Sequence, residues 1–170
     1  THILHAALRH ELGDHVKQAG SMVAADRLRF DFTHFSQIDP EALERIEVFV
    51  NQRVRQNVPV TVEEMDMDHA MQSGATALFE EKYGDRVRVV ALDTFSRELC
   101  GGTHTGRTGN IGLFKIFSES SVASGVRRIE AFTGNTALDH VQKTSRILQQ
   151  LSPLVKDRPD HVVNRAHSTM

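Results

Sequence analysis

The chain has 170 residues, 39% apolar and 25% charged, with a net charge of −2 and one cysteine. That length fits one domain or a domain with an appendage, and it buries roughly 70% of its unfolded surface, so the core needs no disulfide or metal. No run approaches the ~18 apolar residues of a membrane span, a single cysteine forms no internal disulfide, and the near-neutral charge argues against a non-specific polyanion binder.

The opening Thr1-His2-Ile3-Leu4-His5 lacks the basic start and apolar stretch of a signal peptide, so the expectation is a cytoplasmic piece of a longer protein. Ile3, Leu4, Ala7, Leu8 and Leu12 recur at helical spacing and Gly13 stands where a helix stops. Because that pattern is entered in its middle, a lost first turn is expected. Ser21–Val23 and Arg27–Phe32 read as strands, the second with Leu28, Phe30 and Phe32 on one face and Arg29 and Asp31 on the other. Asp39-Pro40 is an N-cap followed by a first-turn proline, leading a helix striped by Leu43, Ile46, Phe49, Val50 and Val54. Val58–Val62 is a strand whose early Pro59 predicts a sheet edge. Helical patterns come next at Asp68–Ser73 and Ala75–Tyr83, then strands at Arg86–Leu92, Ile111–Ser118 and Gly125–Phe132. Thr136–Leu151 is helical, Ser152-Pro153 is expected to break it, and Arg158-Pro159-Asp160 to start another helix.

Strands and helices mix without regular βαβ alternation, so the fold class expected is α+β: a mainly antiparallel sheet packed with helices, followed by a C-terminal helical linker. The boundary falls near residue 134, dividing 1–134 from a helical segment 135–170.

Cys100-Gly101-Gly102-Thr103-His104 carries the most chemical information. Two glycines let the chain turn tightly enough for thiol and imidazole to converge, and sulfur and imidazole nitrogen are donors that tetrahedral zinc prefers. Alone, the pattern also fits a cysteine buried as a small hydrophobe. His2, His5 and His10 cluster on the first helix, where a histidine four residues before His2 would share its face; the bland reading is ordinary polar-face histidines.

Residues 1–9, Gln18–Ser21, Leu28–Phe32, Glu98–His104 and Gly125–Ala131 together resemble the editing domain of bacterial alanyl-tRNA synthetase, with spacing kept over about residues 1–134. Free-standing alanyl-editing proteins and the threonyl-tRNA synthetase editing domain are related. The resemblance implies a zinc held by His-x3-His and Cys-x3-His. His2 would be the second histidine of the first motif, and Cys100 and His104 would make the second. The first histidine would lie before residue 1, leaving three protein ligands. The stretch Ala166–Thr169 looks like the family sequence preceding that point and is read as coincidence. The implied activity is hydrolysis of Ser-tRNA(Ala), and of Gly-tRNA(Ala), to tRNA and free amino acid. A pocket that accepts alanine rejects serine or glycine by only about 1–3 kcal/mol, so a second, hydrolytic sieve is needed.

Thr1 and Gln18 match editing-pocket positions, and a hydroxyl with an amide can pair with a seryl OH that alanine lacks; without the resemblance they read as a frayed terminus and a solvated loop residue. Gly101, Gly102, Arg127 and Arg128 are candidate contacts to the tRNA acceptor end, with Lys115 and Arg107 nearby in sequence and Glu130 and Asp31 as partners for the arginines. His34 is expected as a polar pocket wall, with a general base as the alternative. Zinc would polarise the ester carbonyl, activate water, clamp the α-amino group or serve structure alone. The partners implied are the acceptor end of tRNA(Ala) and the rest of the synthetase, with no DNA and no membrane. No Gly-x4-Gly-Lys-Ser/Thr loop is present, so ATP binding and aminoacylation are not expected. The competing readings are a zinc-stabilised tRNA-binding module without hydrolytic activity, a threonyl-type editing domain, and a Cys100–His104 thiolate hydrolase.

Overall fold

A computed structural model describes residues 1–77, 83–155 and 158. Helix α1 spans His2–Leu12, and Gly13, at φ 112°, caps its C-terminus. Strands β1 (Gln18–Val23) and β2 (Leu28–Thr33) form a hairpin that leads into α2 (Pro40–Arg55). The Asp39 carboxylate accepts from the Ala42 amide at 2.7 Å, as the Asp-Pro start predicts; such a cap contributes about 1 kcal/mol. Then come β3 (Val60–Asp66), α3 (Met67–Gln72), β4 (Arg86–Leu92), β5 (Ser96–Leu99), a 3-10 turn (Thr108–Ile111), β6 (Phe114–Ala123), β7 (Val126–Thr133) and α4 (Gly134–Val155).

The strands make two antiparallel sheets, ordered β1-β2-β7-β6 and β3-β4-β5, and the class is α+β as expected. The alternation in β2 puts Leu28, Phe30 and Phe32 on the inner face, where they meet Ile129 and Ala131 from β7. α1 contributes Ile3, Leu4, Ala7 and Leu8 and α2 contributes Ala42, Ile46, Val50 and Val54 to the same core. The smaller sheet closes over Ala70, Ala75, Val87, Val89 and Leu99. β3 lies at its edge, as Pro59 suggested.

Polar bonds fasten α2 to the 3-10 turn and to β6. Asn51 exchanges two hydrogen bonds with the Phe114 backbone, at 2.8 and 3.0 Å. The fully buried Thr108 hydroxyl donates to Arg53 O at 2.9 Å and accepts from Val58 N at 3.1 Å, anchoring the far end of the Cys100–Arg107 loop.

Three local expectations change. The strand placed at Ile111–Ser118 begins at Phe114, because Ile111 ends the 3-10 turn and Gly112, at φ 70°, redirects the chain at a point where a Cβ would lie only 3.0 Å from Gly134 Cα. Ala75–Ala77 is not helical: Thr76 N donates to Arg97 O and Leu99 N to Thr76 O, so the edge of β5 recruits this segment into an extended bridge. The rest of that predicted helix, residues 78–82, lies outside the described residues, as do the Pro159-Asp160 helix start and the Ala166–Thr169 stretch. α4 continues through Pro153 to Val155. Proline removes one N–H and crowds the carbonyl four residues back, a local cost that the helix tolerates here. Among the described residues, no helix is long and apolar enough to cross a membrane.

Candidate metal centre and substrate cleft

The first turn of α1 presents His2, the end of β5 delivers Cys100, and the loop beyond it brings His104 to the same point. One donor atom from each of the three lies within 4.8 Å of the others. The Nε2 atoms of His2 and His104 face each other at 3.0 Å, with ring centroids 5.1 Å apart. Two nitrogens bound to one tetrahedral zinc stand roughly 3.3 Å apart, given Zn–N distances of about 2.0–2.1 Å. A Cβ placed on Gly102 would lie 3.5 Å from Cys100 Sγ and 3.9 Å from His104 Cε1, so the glycine keeps the space between these donors open. The donor set and its spacing fit zinc.

Glu98 organises the trio from behind. It is buried, with Oε2 on His2 Nδ1 and Oε1 on His5 Nδ1, the latter at 2.8 Å. With Nδ1 committed to the carboxylate, His2 presents Nε2 to the centre, the arrangement that orients ligating imidazoles in metal sites. Burial works against charge on His2, but hydrogen bonds to Cys100 and Glu98 outweigh it and raise the imidazole to about 9. Burial likewise opposes the Glu98 carboxylate, yet the bonds from His2 and His5 bring it down to about 2. The hydrogen bond from His2 holds the Cys100 thiol below its ordinary value despite burial. His104 is pushed down by burial, then by the charges of His2 and Arg88. The lowered Cys100 and His104 favour the thiolate and neutral imidazole, the deprotonated forms in which these groups bind a metal.

This centre opens on a cleft of about 640 Å³, also lined by Thr1, Gln18, Gly101 and Gly102. Its inner wall is apolar, with Leu4, Val50, Leu92 and Phe114. The Gln18 amide donates from Nε2 to Ser21 Oγ at 3.2 Å, while its Oε1 is buried without a partner among the described residues. A Cβ on Gly101 would meet nothing within 4 Å.

Other candidates lie elsewhere. Arg127 forks onto Glu119 at 2.5 and 2.6 Å, Arg128 onto Asp31 at 2.6 and 2.8 Å, and neither lines the cleft. Lys115 pairs with Glu47 and Arg107 donates to Asn57 O, while Glu130 faces Arg27. His34 is not a pocket wall: it bonds to His15 at 2.9 Å, because its strand exits at the end of the sheet beside the α1–β1 loop. His5 serves Glu98, and His10 packs against Phe49 of α2.

Sequence reasoning missed Glu98 and Arg88. Glu98 carried a usable signal, a carboxylate on an inward strand position two residues before a candidate ligand. Arg88 carried none beyond its place in a charge-and-valine alternation.

Residues 87–130 match the family model described as the Threonyl and Alanyl tRNA synthetase second additional domain. Over 159 residues the chain is 66% identical to an alanine–tRNA ligase of Desulfosudis oleivorans, covering 94% of this chain and 18% of that protein. It is 57% identical over 163 residues to one from Halorhodospira halophila, and 56% over 165 residues to one from Methylococcus capsulatus, covering 96% and 97% of this chain and 19% of each relative. The chain thus spans under a fifth of the length of these curated relatives. The matches bear out the resemblance read from the sequence: the chain is similar throughout to a segment of alanine–tRNA ligase that carries this domain.

Proposed function

We propose that this chain, related to one segment of the alanine–tRNA ligases, is an editing deacylase that hydrolyses Ser-tRNA(Ala), and Gly-tRNA(Ala), in the cleft beside a zinc held by His2, Cys100 and His104. The observation that carries the reading is the meeting, in one cleft, of a fitting metal-donor trio with a buried, unpartnered Gln18 carbonyl. Zinc bound there would supply a Lewis acid for the ester carbonyl or a ligand position for the substrate's α-amino group.

The chain's own groups account for selectivity. Gln18 Oε1 accepts the seryl hydroxyl proton and Thr1 offers a second hydroxyl partner across the cleft. An alanyl ester leaves Gln18 Oε1 buried and unpaired, which costs about 1–3 kcal/mol. Gly101 and Gly102, without side chains, let the ester linkage approach the donors. The apolar inner wall excludes water from the amino acid's far side. Arg127 and Arg128 lie outside the cleft and are assigned to acceptor-stem phosphates instead of the ester. In this reading residues 1–134 form the editing unit of a cytoplasmic synthetase and 135–170 lead toward its C-terminal region, while ATP-dependent ligation belongs to other parts of the protein.

A second reading, a metal-stabilised tRNA-binding module without hydrolysis, is favoured by one feature: the His2–Glu98–His5 network ties α1 to β5 and would serve structure equally well. Deacylation assays with Ser-tRNA(Ala) and Ala-tRNA(Ala) separate the two. Editing predicts selective hydrolysis of the seryl ester and about a tenfold loss of that selectivity in Gln18→Leu. Binding of both tRNAs without hydrolysis leaves only the module.

A further inference from the structure

The span between Cys100 and His104 forms neither helix nor strand, yet it must hold two donors in register. From outside the loop, the Arg88 side chain grips its backbone. Arg88 Nη1, reaching from the central strand β4, donates to Cys100 O at 2.9 Å and to Gly102 O at 2.5 Å. The Arg88 carbonyl in turn accepts from Cys100 N at 3.0 Å, continuing the β4–β5 ladder by one bond. The two carbonyls that Arg88 holds belong to the peptides on either side of Gly101–Gly102, where a Cβ on Gly102 would lie 3.5 Å from the Cys100 sulfur.

Glycines at 101 and 102 leave this stretch the freest part of the loop, since residues without Cβ lose most conformational entropy on ordering. At the loop's far end Gly106 O accepts from Val60 N and Pro59 bridges to Arg107, so the backbone is again pinned by the edge strand. Between those anchors Arg88 replaces missing secondary structure. A guanidinium is rigid, always charged and weakly hydrated, which suits it to holding two carbonyls at once.

We infer that Arg88 is a positioning residue for the metal centre: by clamping the Cys100 and Gly102 carbonyls it presets the Cys100–His104 separation at which zinc binds. This rests on the zinc reading above and deepens it, since Arg88 touches neither substrate nor metal and acts through the two donors.

The test measures zinc affinity of the purified chain by chelator competition, with Co²⁺ absorption as a second readout, for the unsubstituted chain, Arg88→Gln and Arg88→Lys. The expected result is zinc binding weakened about 10–100-fold in Arg88→Gln and less in Arg88→Lys, whose ammonium keeps charge and donors. Altered Co²⁺–thiolate bands should accompany the loss, while the metal-free melting temperature stays unchanged. Equal affinities in all three chains overturn the inference while leaving the zinc reading intact. A loss of affinity matched by an equal loss of metal-free stability also overturns it, by making Arg88 merely structural. No zinc binding by the unsubstituted chain overturns the zinc reading itself.

Discussion

The four-stranded sheet with α1 and α2 encloses a continuous apolar interior built from Phe30, Phe32, Phe114, Ile46 and their neighbours, whereas the three-stranded sheet closes over two alanines, two valines and a leucine. The larger region has the burial to hold itself together, at ~25 cal/mol per Å² of apolar surface. The smaller one relies on polar fastenings: Glu98 to α1 and Thr108 to α2. The metal donors straddle this seam, His2 from the large region and Cys100 and His104 from the small one. Fold stability and site chemistry are thus divided between the regions, and a metal would join them.

Four perturbations sharpen that contrast. The largest effect belongs to the big core. Phe30→Ala should cost about 4 kcal/mol, lowering the denaturant midpoint for both regions together, since α1 and Leu92 pack in the same cluster. Glu98→Ala comes next, at about 3 kcal/mol, because it strands the buried His5 imidazole and the part-buried His2. Unlike Phe30→Ala, it should also weaken zinc binding, as chelator titration would show. Chelation of zinc from the intact chain is third. At zinc 100 times the Kd, binding adds about 2.7 kcal/mol, so amide exchange in β4 and β5 should accelerate up to about 100-fold on chelation while β2 and β7 hold. Uniform acceleration everywhere would erase the distinction between the regions.

The smallest effect is a pH dependence on the outer face of the large sheet. The hydrogen bond from Arg128 holds Asp31 below its ordinary value, against the effect of burial. The pair's contribution is therefore present above the usual Asp pKa of ~3.9 and is lost as pH falls through the depressed value. Melting temperature should be slightly higher in the unsubstituted chain than in Asp31→Asn near neutrality, and the gap should close as pH falls through the depressed value.

Legibility in the sequence divides along the same line. The stripes of α1 and α2 and the alternation of β2 and β4 are local patterns imposed by a core, and they were readable. The Cys100–His104 spacing was readable as a metal pattern, and the family resemblance linked His2 to it. Which α1 histidine serves the centre was not a matter of spacing. His2 and His5 stand one turn apart, and their roles are fixed by Glu98, 93 and more residues away, taking one ring on each oxygen. Shorter tertiary contacts, outside any local periodicity, hid Arg88, which bonds to carbonyls 12 and 14 residues on, and drew Ala75–Ala77 out of its helical pattern onto β5.

The most direct test of the central claim combines elemental analysis for zinc with Ser-tRNA(Ala) deacylation on one preparation of the chain, beside Cys100→Ser prepared identically. The account predicts about one zinc per chain, seryl-selective hydrolysis, and loss of both in the variant. Hydrolysis that persists at full rate without zinc would contradict it.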